Sequence, residues 1–448
     1  MNMGRRVLLS FLGLSDYEYC YYTYGGVTSS YTRFIQTAVY ELFRGDEPMD
    51  VVVFATKEAR DRNGQDRKKG DKLLEGIDTA FRRIAPEANV KIVEIESGQD
   101  EQSNWRLFDR IMGEIEEGDT IYFDITHSFR SIPFVALIVL NYARLVKQAD
   151  IGAIVYGWFE VLGRPVDVEQ MPAEQRVAPI VDLTSMARLL DWTNGVDQFL
   201  RTGDASIIQT LTAKENSAVF RNPSSTQTMR NEVKELNQLT KRLDQTEKVF
   251  RTCRSLQIDE EVQKFHEQLA RVRSSSVEAI KPLVPLLDVM EKKYAMFDDD
   301  PIMNSWKAVR WCLDHGLIQQ ALTMLEENAV TAVCRVLGFD LRDEKIRGDV
   351  HSAIEILLRD IPKEKWRVRS VELVEQIIDF LSPYKGDLKP FSMLKERRND
   401  INHAGARPQP LKAEKFWPDA EQSFRELGVF FERMSALAKT MQIAKENA

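Results

Sequence analysis

The sequence predicts an α/β N-terminal domain with a mostly parallel sheet, followed by an all-α C-terminal region. Two observations carry that prediction. Up to about Leu183, uninterrupted apolar strand-like runs alternate with amphipathic helical runs, the pattern of a parallel sheet covered on both faces. Beyond Leu183 strand-like runs almost vanish, and long charged stretches with helical periodicity and little glycine take over.

The elements follow in order. "RRVLLSFLG" reads as the first strand, and "SYTRFIQTAVYELFRG" as an amphipathic helix ending near Gly45. "MDVVVFAT" is a continuous apolar strand. The charged "KEARDRNGQDRKKGDK" reads as a solvated loop and helix start, with "LLEGIDTAFRRI" continuing that helix. "NVKIVEIES" alternates as a strand, "NWRLFDRIMGEIEEG" is a helix, and "DTIYFDIT" is the next strand. The apolar stretch Ile132 to Val146 reads as a buried helix, because a bilayer span needs about 20 residues and Asn141 and Arg144 interrupt it. "ADIGAIVYGWFE" is a further strand, and "VLGRPVDVEQ" with "VAPIVDLT" a closing hairpin or edge. In the helical region, "NEVKELNQLTKRLDQTEKVFRTCRSL" is one long amphipathic helix. The acidic, Pro-containing "DDDPIMN", Asp298 to Asn304, marks a boundary. The expected organisation is 1–184, 185–300 and 301–448.

Composition narrows the function classes. With 43% hydrophobic and 29% charged residues the chain is of ordinary globular type. A net charge of −8 argues against a generic, charge-driven DNA-coating protein. Cys20, Cys253, Cys312 and Cys334 are far apart, which points to free thiols in a reducing cytoplasm and gives no zinc-ligand spacing. The apolar run Val7 to Leu14 suits a strand better than a signal peptide. No GxGxxG follows the first strand and no GxxxxGK[ST] occurs, which disfavours nicotinamide dehydrogenases and P-loop NTPases.

Ligands of open parallel sheets bind beyond the carboxyl ends of the strands. Two loops suit that role. The first, after the first strand, carries Gly13, Leu14 and Ser15. The second, "DITHSFR", carries Thr126, His127, Ser128 and Arg130: two hydroxyls, a ring that can stack and a planar cation. With helix N-terminal amides beside them, they form a candidate cradle for nucleotide phosphates. Capping is the alternative role for the same residue types. Asp124 is expected to orient the turn.

Near the C-terminus, "KERRNDINHAGARPQP" places Asn399 and His403 one helical turn apart, with Arg398 alongside. The helix must stop near Gly405, since Pro408 and Pro410 follow. An arginine that can hold a phosphate and a histidine that can move protons suit metal-free RNA cleavage. "RWCLDH", Arg310 to His315, repeats the spacing without the Asn and reads as structural. His266 and His351 have no supporting partners in the sequence and read as surface histidines.

Together, "VLLSFLGLSDYEY", "DITHSFR", "HGLIQQALTMLEENAV" and "RRNDINHAG", in this order, resemble the CARF–HEPN ribonucleases of type III CRISPR systems. "DITHSFR" is similar to the Asp-x-Thr-His-Gly signature of one CARF branch, with Ser128 in place of Gly. Arg398, Asn399 and His403 match the Arg-Asn-x-x-x-His signature. The resemblance implies a Rossmann-like CARF domain that senses a cyclic oligoadenylate made by the type III complex. Cyclic tetra-adenylate is the favoured ligand and cyclic hexa-adenylate the other. It also implies a helical HEPN domain that cuts single-stranded RNA without a metal cofactor, leaving a 2′,3′-cyclic phosphate. A cytoplasmic homodimer or higher oligomer with no membrane association is implied; the helix from Ile132 is a candidate interface element, with core burial the equal alternative. Ser128 could alter ring-size preference or allow slow cleavage of the activator. Two other readings stay open: a non-catalytic cyclic-nucleotide sensor regulating a DNA or protein partner, and a ribonuclease active without ligand.

Overall fold

The structure, a computed structural model, describes residues 4–96, 100–127, 132–221, 225–274 and 283–446. The chain divides into two compact units, Met1–Arg188 and Leu189–Ala448.

The first unit contains strands β1 (Arg6–Leu12), β2 (Tyr21–Tyr24), β3 (Val27–Thr28), β4 (Asp50–Ala55), β5 (Arg67–Lys69), β6 (Lys72–Leu74), β7 (Val90–Glu94), β8 (Thr120–Asp124), β9 (Asp150–Gly157) and β10 (Val177–Asp182). Its helices are α1 (Ile35–Phe43), α2 (Lys57–Asn63), α3 (Ile77–Ile84), α4 (Glu101–Met112), α5 (Ile132–Val146) and α6 (Pro165–Val168). Eight strands form a mixed sheet in the order β3-β2-β10-β9-β8-β1-β4-β7. From β9 to β7 every pairing is parallel, whereas β10 runs antiparallel to β9 and parallel to β2.

The period-two alternation of strand side chains divides the core. Leu8, Val51, Val53 and Ala55 face one layer, with Ile35, Ala38 and Val39 of α1 and Ala80 and Phe81 of α3. Val7, Leu9, Phe11, Val52 and Phe54 face the other, with Leu107 and Ile111 of α4 and Val139, Leu140 and Ala143 of α5. Each large apolar side chain so covered contributes roughly 1.5–3 kcal/mol. The chain builds outward from β1 through β4 to β7, then crosses to β8 and β9 on the other side of β1. The strand order therefore reverses between β1 and β8, where an open α/β sheet leaves a crevice at its carboxyl edge.

Several segments differ from expectation. The stretch after the first strand, read as a loop, holds β2 and β3, which pair antiparallel. Helix α9 stops at Arg251 instead of running on to Leu256, the chain turning at Cys253 with φ +56°. Helix α5, read as buried, leaves Phe134, Leu137, Ile138, Tyr142 and Leu145 exposed, because among its described residues Val139, Leu140 and Ala143 are the ones buried in the sheet core. The stretch read as a loop and single helix over 57–84 is α2, a β5–β6 hairpin and α3. Gly70, at φ +62°, makes the hairpin turn, and Gly76 N-caps α3. Residues 159–176 hold α6 and short 3₁₀ turns instead of a hairpin strand, and β10 is not an edge, because β2 pairs on its far side.

The second unit is helical: α7 (Thr184–Thr202), within which the division falls, α8 (Ser206–Arg221), α9 (Gln227–Arg251), α10 (Ile258–Arg273), α11 (Val284–Lys292), α12 (Pro301–Asp314), α13 (Ile318–Leu337), α14 (Glu344–Arg359), α15 (Val371–Leu381), α16 (Phe391–Asn402) and α17 (Ala413–Glu446). One buried cluster runs through it from Trp192 to Met434. Helix α13 is its central post, packed by α12, α14, α16 and α17. At the start of α12, Asp300 accepts from the amides of Ile302 and Met303 at 3.1 and 3.0 Å, and Pro301 takes the first helical position. Among the described residues, no helix is long and apolar enough to cross a membrane.

Candidate functional site

At the reversal of strand order, the loops after β1 and β8 meet. Asp124 ends β8 wholly buried. One of its oxygens accepts from Ser10 Oγ of β1 at 2.6 Å; the other accepts the Thr126 amide at 3.0 Å and the Thr126 hydroxyl. Burial pushes its carboxyl above the usual range, opposed by these hydrogen bonds. The Thr126 hydroxyl in turn accepts the Gly157 amide of β9 at 2.8 Å. Asp124 and Thr126 thus tie three strand tips together, and the Thr126 hydroxyl is already bonded to protein. His127 lies against Tyr17, ring centroids 4.1 Å apart and nearly parallel. Its Nε2 is shielded without a partner, and desolvation pushes its pKa down to about 4. The other loop is held from below. Gly13 donates its amide to the Tyr17 hydroxyl at 2.7 Å, while Asn63 Nδ2 donates to the carbonyls of Gly13 and Ser15 at 2.9 and 3.0 Å. Leu14, between them, is exposed. Ser128 and Arg130 lie outside the described residues.

Asn63 and Arg33 at this end escaped the sequence reading, and Tyr17 figures there only as one of the first loop's tyrosines. Tyr17 and Asn63 shape the first loop; nothing in their spacing signals it. Arg33, just before α1, is 2% exposed, yet among the described residues no carboxylate pairs with it. Its Nη1 donates to the Glu75 carbonyl at 2.8 Å, while Nε and Nη2 have no partner. Burial pulls its pKa down. Asp16 nearby gathers Arg62, Arg67 and Lys69, which hold its carboxyl well below the usual range.

In the second unit, Arg398 and Asn399 lie on α16, and His403 is its C-cap, its amide donating to the Asn399 carbonyl at 3.0 Å. Ala404 and Gly405, at φ +53° and +72°, end the helix there. His403 is exposed and Asn399 partly buried. Neighbours on either side fix the helix. Phe391 and Leu394 are buried, Arg397 pairs with Asp419 of α17 at 2.7 Å, and buried Asp400 accepts the Leu411 amide at 2.6 Å. Arg398 turns toward α13, its Nε 3.3 Å from Glu326 Oε2 and its Nη1 3.3 Å from Glu327 Oε1. A half-buried guanidinium and an open imidazole at one helix end can bind a phosphodiester and exchange protons with it.

In the second copy of the spacing both side chains are engaged within the fold. Arg310 makes two 2.8 Å bonds to Glu421 and also pairs with Asp314. His315 is 5% exposed, bonded through Nδ1 to the Trp311 carbonyl at 2.7 Å, and burial lowers its pKa. The other two histidines depart from expectation, because tertiary packing supplies partners the sequence does not show. His266 lies 3.5 Å from Glu291, and His351 Nε2 lies 3.0 Å from Glu326 Oε1.

The family model described as CRISPR-associated protein MJ1674, second domain, matches residues 188–300. A curated relative, CRISPR-associated protein MJ1674 of Methanocaldococcus jannaschii, is 32% identical over 160 residues, 35% of this chain and 23% of the relative. The match thus spans about a quarter of that relative's length. The family-model segment contains neither the β1/β8 loops nor α16.

Proposed function

We propose that this chain is a cyclic oligoadenylate-activated, metal-independent single-stranded RNA endoribonuclease of type III CRISPR defence, a CARF-like sensor joined to a HEPN-like nuclease. The similarity to a CRISPR-associated protein supports a CRISPR-related role. The observation that carries the catalytic part is α16 itself: Arg398 held against a buried carboxylate, and His403 open at the helix end. In this reading Arg398 holds the scissile phosphate and Asn399 assists. The 2′-hydroxyl loses its proton, its oxygen attacks phosphorus, the bond to the 5′-oxygen breaks, and that oxygen is protonated. His403 carries one of these proton transfers. The products are a 2′,3′-cyclic phosphate and a 5′-hydroxyl.

The ligand reading draws support from the meeting of the loops after β1 and β8 and from the Arg33 guanidinium, whose Nε and Nη2 have no hydrogen-bond partner among the described residues and which suits a polyanion. Gly13, Leu14, Ser15, Thr126, His127, Ser128 and Arg130 are the proposed binding residues. Thr126 acts through its backbone and its fixed position, since its hydroxyl is engaged. A homodimer fits the face of α5, where Phe134, Leu137, Ile138, Tyr142 and Leu145 are exposed, Leu145 by 82%. A two-fold ligand on a two-fold axis would then pair two strand-tip sites.

The test is cleavage of a fluorescent single-stranded RNA in EDTA, with and without cyclic tetra- and hexa-adenylate. Cleavage with one ring, abolished by His403→Ala while ring binding persists, is expected. Equal cleavage without ligand would remove the gating. Tight ring binding with no cleavage would favour a non-catalytic sensor.

A further inference from the structure

Glu326 is an unusual residue to find in a helical core. It sits in the middle of α13, it is 0% exposed, and a charge so placed needs compensation. Its two oxygens face two different helices. Oε1 lies 3.0 Å from His351 Nε2 of α14; Oε2 lies 3.3 Å from Arg398 Nε of α16. Arg398 Nε and Glu326 Oε2 are both shielded from solvent, and neither has a hydrogen-bond partner in good alignment. These two atoms face each other as a close ion pair. Next to it, Glu327 holds Arg398 Nη1 at 3.3 Å and is itself held by Arg347 Nη2 of α14 at 2.7 Å. His351 also packs on Phe391, the first residue of α16, with ring centroids 5.4 Å apart.

We infer that His351 and Glu326 are positioning residues for Arg398: His351 fixes the rotation of the Glu326 carboxylate, and that carboxylate aims the guanidinium. The inference rests on the ribonuclease reading for its catalytic consequence. With its proton on Nε2, His351 donates to Oε1, which leaves Oε2 facing Arg398 Nε. The inner edge of the guanidinium is then occupied by α13, and its remaining donors stay available to a phosphate. The arrangement resembles the general pattern in which a reactive group is oriented by a second group that a third one fixes. The same geometry explains why an amide should fail at position 326. Gln has one acceptor oxygen; with that oxygen toward His351, its NH₂ would meet the N–H of Arg398, donor against donor. At position 351 the reverse holds, because a Gln side chain can still donate to Glu326.

The test uses the full-length chain and three variants, Glu326→Gln, His351→Ala and His351→Gln, with two readouts. The first is kcat and KM on single-stranded RNA with saturating activator. Displacing a positioned group typically costs up to about 100-fold, so His351→Ala and Glu326→Gln should lose at least about 10-fold in kcat with KM little changed. His351→Gln should recover to within about 3-fold of the parent. The second readout needs no activity: the Nε–Hε NMR signal of Arg398, assigned by its loss in Arg398→Lys. It should exchange slowly with water in the parent and in His351→Gln, and rapidly in His351→Ala. Parental kcat and slow exchange in His351→Ala would overturn the inference. So would a faster Glu326→Gln, which would mean that the carboxylate cages Arg398. If the parent cleaves no RNA with any ring, the ribonuclease reading fails, and the exchange rates alone decide whether His351 positions Arg398.

Discussion

His127 should resist protonation far below the pH at which an ordinary histidine takes up a proton. Its ring lies 4.1 Å from Tyr17, its Nε2 is shielded, and among the described residues no carboxylate is bonded to it; burial sets the shift, down to about 4. In an unfolded chain the same ring titrates near 6.5. Between those values the unfolded state binds more protons than the folded one, so stability must fall as pH falls. For a shift of that size, linkage gives a loss of about 1.4 kcal/mol by pH 5.5 and about 2.6 kcal/mol by pH 4.5. The loss stops growing below the folded value, and partial solvent access to the ring lowers both figures. The direct assay is an NMR titration of the ring carbon-bound protons. The chain has five histidines, so the signal lost in His127→Phe identifies the residue. A midpoint near 4 is expected. In denaturant unfolding, the advantage of His127→Phe over the parent should widen as pH drops from 7 to 4.5. A midpoint at or above 6.5 in the ligand-free protein would refute the reasoning, because it would mean that water or an anion reaches Nε2.

Gly203→Ala should lower the unfolding temperature, with a cost of about 1–3 kcal/mol. The residue stands at φ +69°, and a Cβ there would come 2.5 Å from the buried Trp311 ring; an unchanged melting curve would show that the ring yields freely. Asp300→Ala should cost about 1–2 kcal/mol at neutral pH, since it removes the α12 cap and the partner of Ser435 and Lys439. Because those partners hold the Asp300 carboxyl down to about 2, the contribution is present above the unfolded value near 3.9 and fades as pH falls toward 2; a difference from the parent that persists at pH 2 would contradict this. Leu145→Glu should shift the sedimentation of a dimer toward monomer, and an unaltered mass would remove the α5 face from the interface.

The parallel strands were legible because burial on both faces leaves a plain record: "VVVFA" has no polar residue to spare for solvent. The helix end at His403 was legible from Gly405 and the two prolines. The β5–β6 hairpin was not, because Arg67, Lys68, Lys69 and Lys72 are the residues of a solvated loop, and three-residue strands held by a glycine turn carry no apolar alternation. The placement of β10 between β9 and β2 depends on long-range pairing that leaves no local trace. At the candidate sites, the sequence motifs named residues that could meet a ligand, and the supports of those residues were hidden. Asn63 lies some fifty positions beyond Gly13, and Glu326 about seventy before Arg398. His351 was misread for the same reason: a partner on another helix cannot be seen from a histidine's own neighbours.

The undivided core of the helical unit bears on how relatives of this chain could exchange parts. A cut at residue 300 would leave Phe250, Phe265 and Tyr294 on one fragment and Trp311 on the other, although Phe250 and Trp311 stack at 4.1 Å and Phe265 and Tyr294 pack beside them. Neither fragment would keep the surface its half of the cluster was shaped to meet. A recombinant that joined two homologues at that point would have to rebuild an aromatic interior at the seam. One that carried everything after Arg188 as a single cassette would inherit it intact.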